Sequence, residues 1–449
     1  MNSIKSVHIT NFYHKNSGGI STSYNDLMKA AKRHQRFVVL IVPAEEESVE
    51  EVNEYAKIYY VKGITSPFFD KRYRLLMPWQ YLFHDTPIRE ILLKEKPDLI
   101  EICDKYTLIY LASMIRKGKF LKLGRTMLLH LTTERMDDNI DSFITKSKFG
   151  KWFSDKMMGI LIPSMFDFHI GNSQYTVNEI FESVENNRKS SLFNVAWRFF
   201  SGSRISEKKR IFVSPCGCDF DYFAVNRKSE EARNEILQKV NLPENAKILL
   251  YAGRISPEKN IELLIEMMKF LSKNQKYDFR LLVAGDGPKK DWLKSQTETN
   301  FLDKIVQFGH LDKETLAKLY ANADVFVHPN PREPFGIGPL EAMASGVPVV
   351  APNSGGILSY ATQENAWLCN PNGEEFATAI TEIIENPSLV KNKTQKAIET
   401  AKNNTREKST DSLLATYDKL YDYFQEQNEF FTDIEKAKVF DFSKPLESD

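Results

Sequence analysis

Short apolar runs recur along the chain. Most are followed by a turn of glycine, proline or small polar residues and then by helically spaced apolar positions. In the first half the runs at 7–12, 37–42, 57–61, 99–103, 125–131 and 168–172 read as strands. The run at 7–12 clusters its apolar residues instead of alternating them, and it leads through Gly18-Gly19 into a helix at 21–34. Strand, glycine turn and helix in that order open a doubly wound sheet. Residues 73–95 are helical and aromatic-rich, interrupted near Pro78 and Pro87. Ser173-Gln174-Tyr175-Thr176 begins a helix at 177–183 in the manner of an N-cap. In the second half, strands at 247–252, 280–284, 305–308, 325–328, 347–351 and 366–369 are interleaved with helices at 261–271, 289–297, 313–321, 374–385 and 387–403. Such alternation predicts an α/β protein with parallel sheets and helices on both faces. Residues 417–424 are apolar and aromatic at helical spacing, and 430–449 read as a loosely held tail.

A chain of 449 residues accommodates two or three domains. Pro215, Gly217, Asp219 and Phe223 follow the apolar 211–214, and no Gly/Ser-rich linker is visible, so a short hinge is expected there. The expected division is 1–213, 214–405, and a returning helix with its tail at 406–449. Lys+Arg and Asp+Glu number 60 each, so nothing global points to nucleic acid, and any basic patch must be local. Of the four cysteines, Cys216 and Cys218 stand close together but lack a second pair or nearby histidines. Zinc is therefore not expected, and reduced thiols of a cytosolic protein are. The start, MNSIKSVHITNFYH, has no apolar signal-peptide core, and no run approaches the ~18 apolar residues that cross a bilayer. A cytoplasmic location is the expectation.

Chemistry concentrates in residues 325–356. Gly336 and Gly338 precede Pro339, which suits the first helical position, and a helix start behind a glycine loop is a seat for phosphate. Glu333 and Glu341 bracket that loop with seven residues between them. Phosphate would repel both, so beside a phosphorylated ligand they must turn to its hydroxyl groups. A nucleotide-sugar, a diphosphate flanked by two hydroxyl-bearing rings, meets both demands. The plainer alternative has Glu341 serving the helix start and Glu333 solvated in a loop. Arg254 and Lys259 stand where the strand at 247–252 gives way to a helix, a position suited to clamping a diphosphate, with surface charge as the alternative. Glu101 lies inside a strand and Asp104 at its end. Both are candidates for an acceptor site, against the alternative of hydrogen-bonded structural acids. His130, alone in an apolar strand, reads by itself as a core residue. Residues 188–210 carry seven Lys/Arg and a single acid, Glu207, among Phe193, Trp197, Phe199 and Phe200. That composition suggests contact with an anionic membrane surface, against a solvated insertion with an aromatic plug, and a second basic-aromatic stretch lies nearby, from 146 to 165.

The run Glu333-Pro334-Phe335-Gly336-Ile337-Gly338-Pro339-Leu340-Glu341, with the small-residue turn and Val347-Pro348 beyond it, closely resembles the donor site of the retaining glycosyltransferases of carbohydrate-active family 4. Gly253-Arg254 and Glu258-Lys259 match that family's Gly-Arg…Glu-Lys pattern. The likeness covers most of the chain and is strongest over 247–356. It implies two Rossmann-like parallel-sheet domains facing across a cleft, the GT-B type, with the last helices crossing back to the first domain. The implied reaction is metal-independent transfer of a hexose, with retention, from a UDP- or GDP-sugar to a lipid-linked, polysaccharide or small-molecule acceptor, without cofactor. Glycolipid or polysaccharide synthesis is the implied setting; the peripheral contact at the inner membrane face through 188–210 is suggested by composition alone and is not part of the family pattern. The likeness makes Arg254, Lys259, Glu333 and His130 catalytic. Arg254 and Lys259 face the leaving diphosphate, Glu333 the hexose, Glu341 the ribose, and His130 the hexose or a donor phosphate. Gly18, Gly19, Gly253 and the backbone of Phe335, Gly336, Ile337 and Gly338 approach the donor. Family members usually follow the histidine with an aspartate where this chain has Leu131, so Glu134 and Asp137 join Glu101 and Asp104 as acceptor-side candidates. A phosphorylase or sugar-nucleotide epimerase on the same fold would need a cofactor-lysine motif or an acid/base pair that the chain does not display. A non-catalytic nucleotide-sugar binder would not need Arg254, Lys259, Glu333 and Glu341 together.

Overall fold

The computed structural model describes residues 4–14, 18–66, 74–120, 122–144, 146–301 and 303–446. Lys15, Asn16 and Ser17 of the expected glycine turn, and Tyr73 of the expected helix, lie outside these. The chain forms two compact units, Met1–Ser214 with Ser409–Asp449, and Pro215–Lys408. Both are Rossmann-like α/β domains built on parallel sheets, as the interleaved strand and helix patterns predict.

The first unit contains β1 (Ser6–Thr10), β2 (Val38–Ala44), β3 (Ser48–Asn53), β4 (Ala56–Lys62), a separate pair β5 (Ile64–Thr65) and β6 (Arg74–Leu75), then β7 (Leu99–Cys103), β8 (Met127–Thr132), β9 (Phe168–Gly171) and β10 (Ile211–Val213). The main sheet runs β10-β9-β8-β7-β1-β2-β4-β3. Strands β1 and β7 are buried at every position, as strands covered on both faces must be. Among the described strands of this main sheet only β3 pairs antiparallel, and its sequence SVEEVN does not read as a strand because it is polar and largely exposed. Charged, exposed residues are what keep an edge strand from pairing with other chains. Helix Gly19–His34 follows β1, and Ser173 and Thr176 form a reciprocal capping box at the start of helix Gln174–Asn187. The expected aromatic helix at 73–95 is instead β6 and the short helices Trp79–Leu82 and Pro87–Glu95, because the prolines cannot continue a helix from the preceding turn.

One expectation for this unit is overturned: through residue 446 the C-terminal segment is not loosely held, and residues 447–449 of the expected tail lie outside the described residues. Phe431, Ala437 and Phe442 are buried, Phe442 packs on Trp197 at 5.4 Å, and Arg198 and Arg204 donate to the carbonyls of Phe440 and Glu429. Segment 188–210 carries an aromatic plug, the alternative set beside membrane contact for this stretch. It contains helix Ser191–Phe200, whose Phe193 and Trp197 stack at 4.8 Å in the core. Arg188 meets Glu207 at 2.7 Å, and the fully buried Arg210 donates to the carbonyls of Ile205, Pro163 and Phe166. Cations satisfied by backbone carbonyls, and aromatics filling the interior, make this segment structural.

Helix Arg406–Glu426 carries Leu414, Tyr417, Leu420 and Phe424 into the interior of the first unit. There the fully buried Glu101 accepts from Tyr24 at 3.1 Å and from the Tyr417 hydroxyl, and lies 2.9 Å from Nδ1 of His8.

The second unit is a six-stranded parallel sheet of β11 (Lys247–Ala252), β12 (Phe279–Ala284), β13 (Ile305–Gly309), β14 (Val325–Val327), β15 (Val349–Pro352) and β16 (Trp367–Cys369), ordered β13-β12-β11-β14-β15-β16. The order reverses between β11 and β14. In an open parallel sheet that switch point leaves a crevice at the strands' carboxyl ends. Among the described residues no helix is long and apolar enough to cross a membrane.

Tyr417→Phe removes one donor from the buried Glu101 carboxylate and is expected to lower the unfolding free energy by roughly 1–3 kcal/mol, read as a shift in the urea midpoint. An unchanged midpoint would mean that Glu101 does not depend on this helix.

Candidate active site

The loops that follow β11 and β14 are neighbours because their strands pair, Leu250 opposite Phe326. The Tyr251 hydroxyl donates to the Arg254 carbonyl at 2.8 Å and sets the turn after β11. Asn260 Nδ2 donates to the Pro329 carbonyl at 3.0 Å and stitches the two loops together. Across this seam Lys259 Nζ lies 2.7 Å from Glu333 Oε2, and the same oxygen accepts from Asn330 Nδ2 at 3.0 Å. His328 Nε2 lies 3.7 Å away. Burial alone would raise the Glu333 carboxyl, but Lys259 and His328 beside it bring it down to about 2. Burial drives the His328 imidazole down to about 4 in spite of Glu333, so at neutral pH the charged partners are Lys259 and Glu333.

Two glycines allow this loop its path. Gly356 donates its N–H to the Glu333 carbonyl at 2.6 Å, and a Cβ on Gly356 would stand 1.8 Å from the Pro334 carbonyl oxygen. Gly336, at φ +90°, turns the chain into helix Ile337–Ala344, and the Tyr360 hydroxyl donates to its carbonyl. The helix thus begins two residues before Pro339, which occupies the third helical position; its missing N–H is still among those that have no intrahelical partner. This helix has no side-chain cap and no acid in its first turn. Its start is close to the Arg254 turn, since the Ala252 carbonyl lies 3.6 Å from where a Cβ would sit on Gly338. Phe335 is buried against Tyr360 with ring centroids 5.2 Å apart, which leaves only its backbone to face a ligand.

Farther along the helix, Glu341 lies with Oε1 3.7 Å from Arg406 Nη2. Burial pushes its carboxyl up to about 7, only partly offset by Arg406, Lys313 and the Tyr320 hydroxyl. Two glutamates on one loop and helix are therefore held in different protonation states. Glu333 is a firm anion, whereas Glu341 titrates near neutrality.

The candidates in the first unit divide into open and closed. Gly18 and Gly19 are exposed at the start of helix Gly19–His34, which also lacks a side-chain cap and first-turn acids. Glu134 is partly exposed, with its carbonyl accepting from Lys105 and Thr132. Asp137 is partly exposed and held by Arg135 at 2.8 and 3.0 Å. Glu101 is not available to an acceptor, because its oxygens are engaged by His8, Tyr24 and Tyr417. Asp104 is likewise internal. One oxygen accepts from the backbone N–H groups of Tyr106, Thr107 and Leu108, and the other from Asn11. His130 is fully buried, its Nδ1 3.3 Å from Nδ1 of His169 and its ring 5.2 Å from Phe166. Burial brings it down to about 3, so it is a neutral core residue with no surface for a ligand.

Asn330, His328, Gly356, Tyr360 and Arg406 went unrecognised as parts of the site. The Gly355-Gly356 pair and the Pro-Asn-Pro run were visible as turn signals, but nothing at position 406 points to Glu341, 65 residues earlier. Among the described residues no group of three or more His, Cys, Asp or Glu side chains is placed to hold a metal ion.

Residues 232–404 match the family glycosyl transferases group 1. An uncharacterized glycosyltransferase of Methanocaldococcus jannaschii is 33% identical over 165 residues, 36% of this chain and 42% of that protein's own length. A GDP-mannose-dependent alpha-(1-6)-phosphatidylinositol dimannoside mannosyltransferase of Mycobacterium tuberculosis is 24% identical over 387 residues, 85% of this chain and 88% of its own. Among solved structures, Anabaena HepE in complex with UDP and glucose superposes with a TM-score of 0.63 at 16% identity, covering 92% of this chain and all of that one.

The raised Glu341 carboxyl has a direct consequence for stability. Its proton is bound more tightly in the folded than in the unfolded chain, so the stabilisation is fully present below the ordinary value of about 4.5 and is lost as pH rises through about 7. Glu341→Gln is expected to flatten the decline in stability across that window, measured by urea unfolding at a series of pH values. Identical slopes for the two proteins would contradict the burial of this carboxyl.

Proposed function

We propose that this chain, whose residues 232–404 match the family glycosyl transferases group 1, transfers a hexose with retention from a nucleotide-diphosphate sugar to an acceptor. The observation that carries the reading is the meeting of Lys259 and Glu333 beside an uncapped helix start at the sheet's switch point. Lys259, Arg254 and the N–H groups at the start of helix Ile337–Ala344 face the diphosphate. As the bond between the anomeric carbon and the β-phosphate oxygen breaks, negative charge grows on that oxygen and these groups stabilise it. The acceptor oxygen bonds the anomeric carbon on the same face, and its proton passes to the departing phosphate. Glu333 accepts hydrogen bonds from the hexose hydroxyls and Glu341 from those of the ribose. The cations and the helix dipole supply the positive charge opposite the diphosphate, so turnover does not require a divalent ion.

The Mycobacterium tuberculosis relative is named for GDP-mannose and the Anabaena structure holds UDP and glucose, so GDP- and UDP-hexoses are the donors to test first. The acceptor is a lipid-linked sugar, a polysaccharide or a small hydroxyl compound at the cytoplasmic side. Glu134 and Asp137 are the partly exposed carboxylates of the first unit for such a ligand.

The matching donor is expected to raise thermal stability, by ~2.7 kcal/mol at a hundredfold excess over its Kd. Lys259→Ala is expected to lower kcat on the order of a hundredfold or more while changing donor Kd far less. Turnover is expected to survive chelator treatment. A Lys259→Ala enzyme with normal kcat would remove the diphosphate clamp from this reading. Ribose hydroxyls donating to Glu341 favour its charged form, so donor binding is expected to release a proton near pH 7, seen calorimetrically in buffers of different ionisation enthalpy.

A further inference from the structure

Helix Lys148–Lys156 in the first unit is amphipathic the wrong way round. Its inward positions are Gly150 and Ser154, and Ser154 donates to the buried Glu179 carboxylate at 3.3 Å. Its outward positions are Phe149, Trp152 and Phe153, exposed by 66%, 53% and 40%. These three lie at i, i+3 and i+4 and so share one face, where Phe149 and Trp152 stack with centroids 5.7 Å apart. Phe143 and Ile144, just before this helix, are also exposed. A surface helix ordinarily buries its aromatic residues. A contiguous group of large apolar side chains facing water marks a surface that something else covers.

The charges around this face identify what covers it. Lys146, Lys148 and Lys151 are all exposed, and no Asp or Glu occurs anywhere in residues 142–154. The nearest acid on the C-terminal side, Asp155, accepts from Asn187 at 2.7 Å. Trp and Phe on one side of a short helix, with lysines flanking them, suit the boundary between lipid headgroups and acyl chains, where apolar burial and attraction to anionic headgroups add together. The helix is a defined element, since the Ser147 hydroxyl accepts from the Gly150 N–H at 3.3 Å. Segment 188–210, to which composition pointed first, is the weaker surface. Phe193 and Trp197 are internal, and only Leu192, Val195 and Phe199 face out, with Lys117 over the Phe199 ring at 3.5 Å.

We propose that the first unit docks on an anionic membrane surface through helix Lys148–Lys156, with Phe149, Trp152 and Phe153 inserted into the headgroup region and Lys146, Lys148 and Lys151 paired with lipid phosphates. The proposal rests on the first unit alone and holds whether or not the second unit transfers sugar.

The test is flotation of the full chain with phosphatidylglycerol-containing vesicles and with pure phosphatidylcholine vesicles. The wild-type protein is expected to float with the first and not the second, and to be released by high salt. Phe149→Ser with Trp152→Ser is expected to reduce the bound fraction about tenfold, as the loss of two apolar anchors requires. The three lysines changed to glutamate are expected to abolish the preference for anionic lipid. Leu192→Ser with Phe199→Ser is expected to float like the wild type. Because the altered side chains all point to solvent, unchanged melting temperatures serve as the folding check. Wild-type protein that does not float, or a Phe149/Trp152 variant that floats equally well, would overturn the proposal. So would light scattering that shows a dimer in the wild type and a monomer in that variant, since the face would then belong to a second copy of the chain.

Discussion

A carboxylate removed from water must find positive charge and hydrogen-bond donors close by, and in the second unit that requirement draws several separate stretches of chain together. Glu333 reaches a lysine 74 residues earlier, an asparagine three residues earlier, and, through its own carbonyl, the N–H of Gly356. The contact with Lys259 exists because β11 and β14 are adjacent, and their adjacency is a property of the strand order. The ion pair lies where the loops after these two strands meet. Removing one member of this partly buried pair costs more than the net worth of the pair, because the other charge is left without its nearest compensation. The same residues that would act on a ligand therefore also hold the loop in shape.

The first unit meets the same demand in the opposite way. Its sheet order also reverses, between β1 and β7, and the residues at those two strand ends are Asn11 and Asp104, bonded to each other at 2.9 Å. Asp104 further caps three backbone N–H groups, and Glu101, inside β7, is satisfied from three elements. His130 faces His169 in the interior. Acids and imidazoles that would suggest chemistry in a linear reading are here the polar fasteners of a core. The Lys259–Glu333 ion pair belongs to the second unit, and in the first unit Glu134 and Asp137 are partly exposed and one helical face is apolar.

That apolar face and the aromatic residues of 188–210 illustrate how composition misleads about location. Both segments are basic and aromatic, and in sequence the second is the more conspicuous. Folding buries Phe193 and Trp197 beneath the C-terminal segment and leaves Phe149 and Trp152 in water. The distinction depends on which side of each helix meets the unit's interior, and that is decided by packing partners far away in the chain.

The sequence by itself determined the strand–helix alternation, the class of fold and most element positions, because apolar periodicity and turn residues are local properties. β7 and β11 fall within their expected limits, and the Gly-Arg, Lys259, Glu333 and Glu341 positions of the donor-type loop were legible from spacing and resemblance. Tertiary structure alone decided the rest. Burial is what separates the closed Glu101, Asp104 and His130 from the partly exposed Glu134 and Asp137, and the charged neighbours that offset burial at Glu333 but only partly at Glu341 set the two at opposite ends of the carboxylate range. Long-range contact is what brings Arg406 to Glu341 and seats residues 430–446 in the first unit. Each of these depends on the electrostatic and packing environment of a side chain, and that environment is assembled from residues that a linear pattern does not relate to one another.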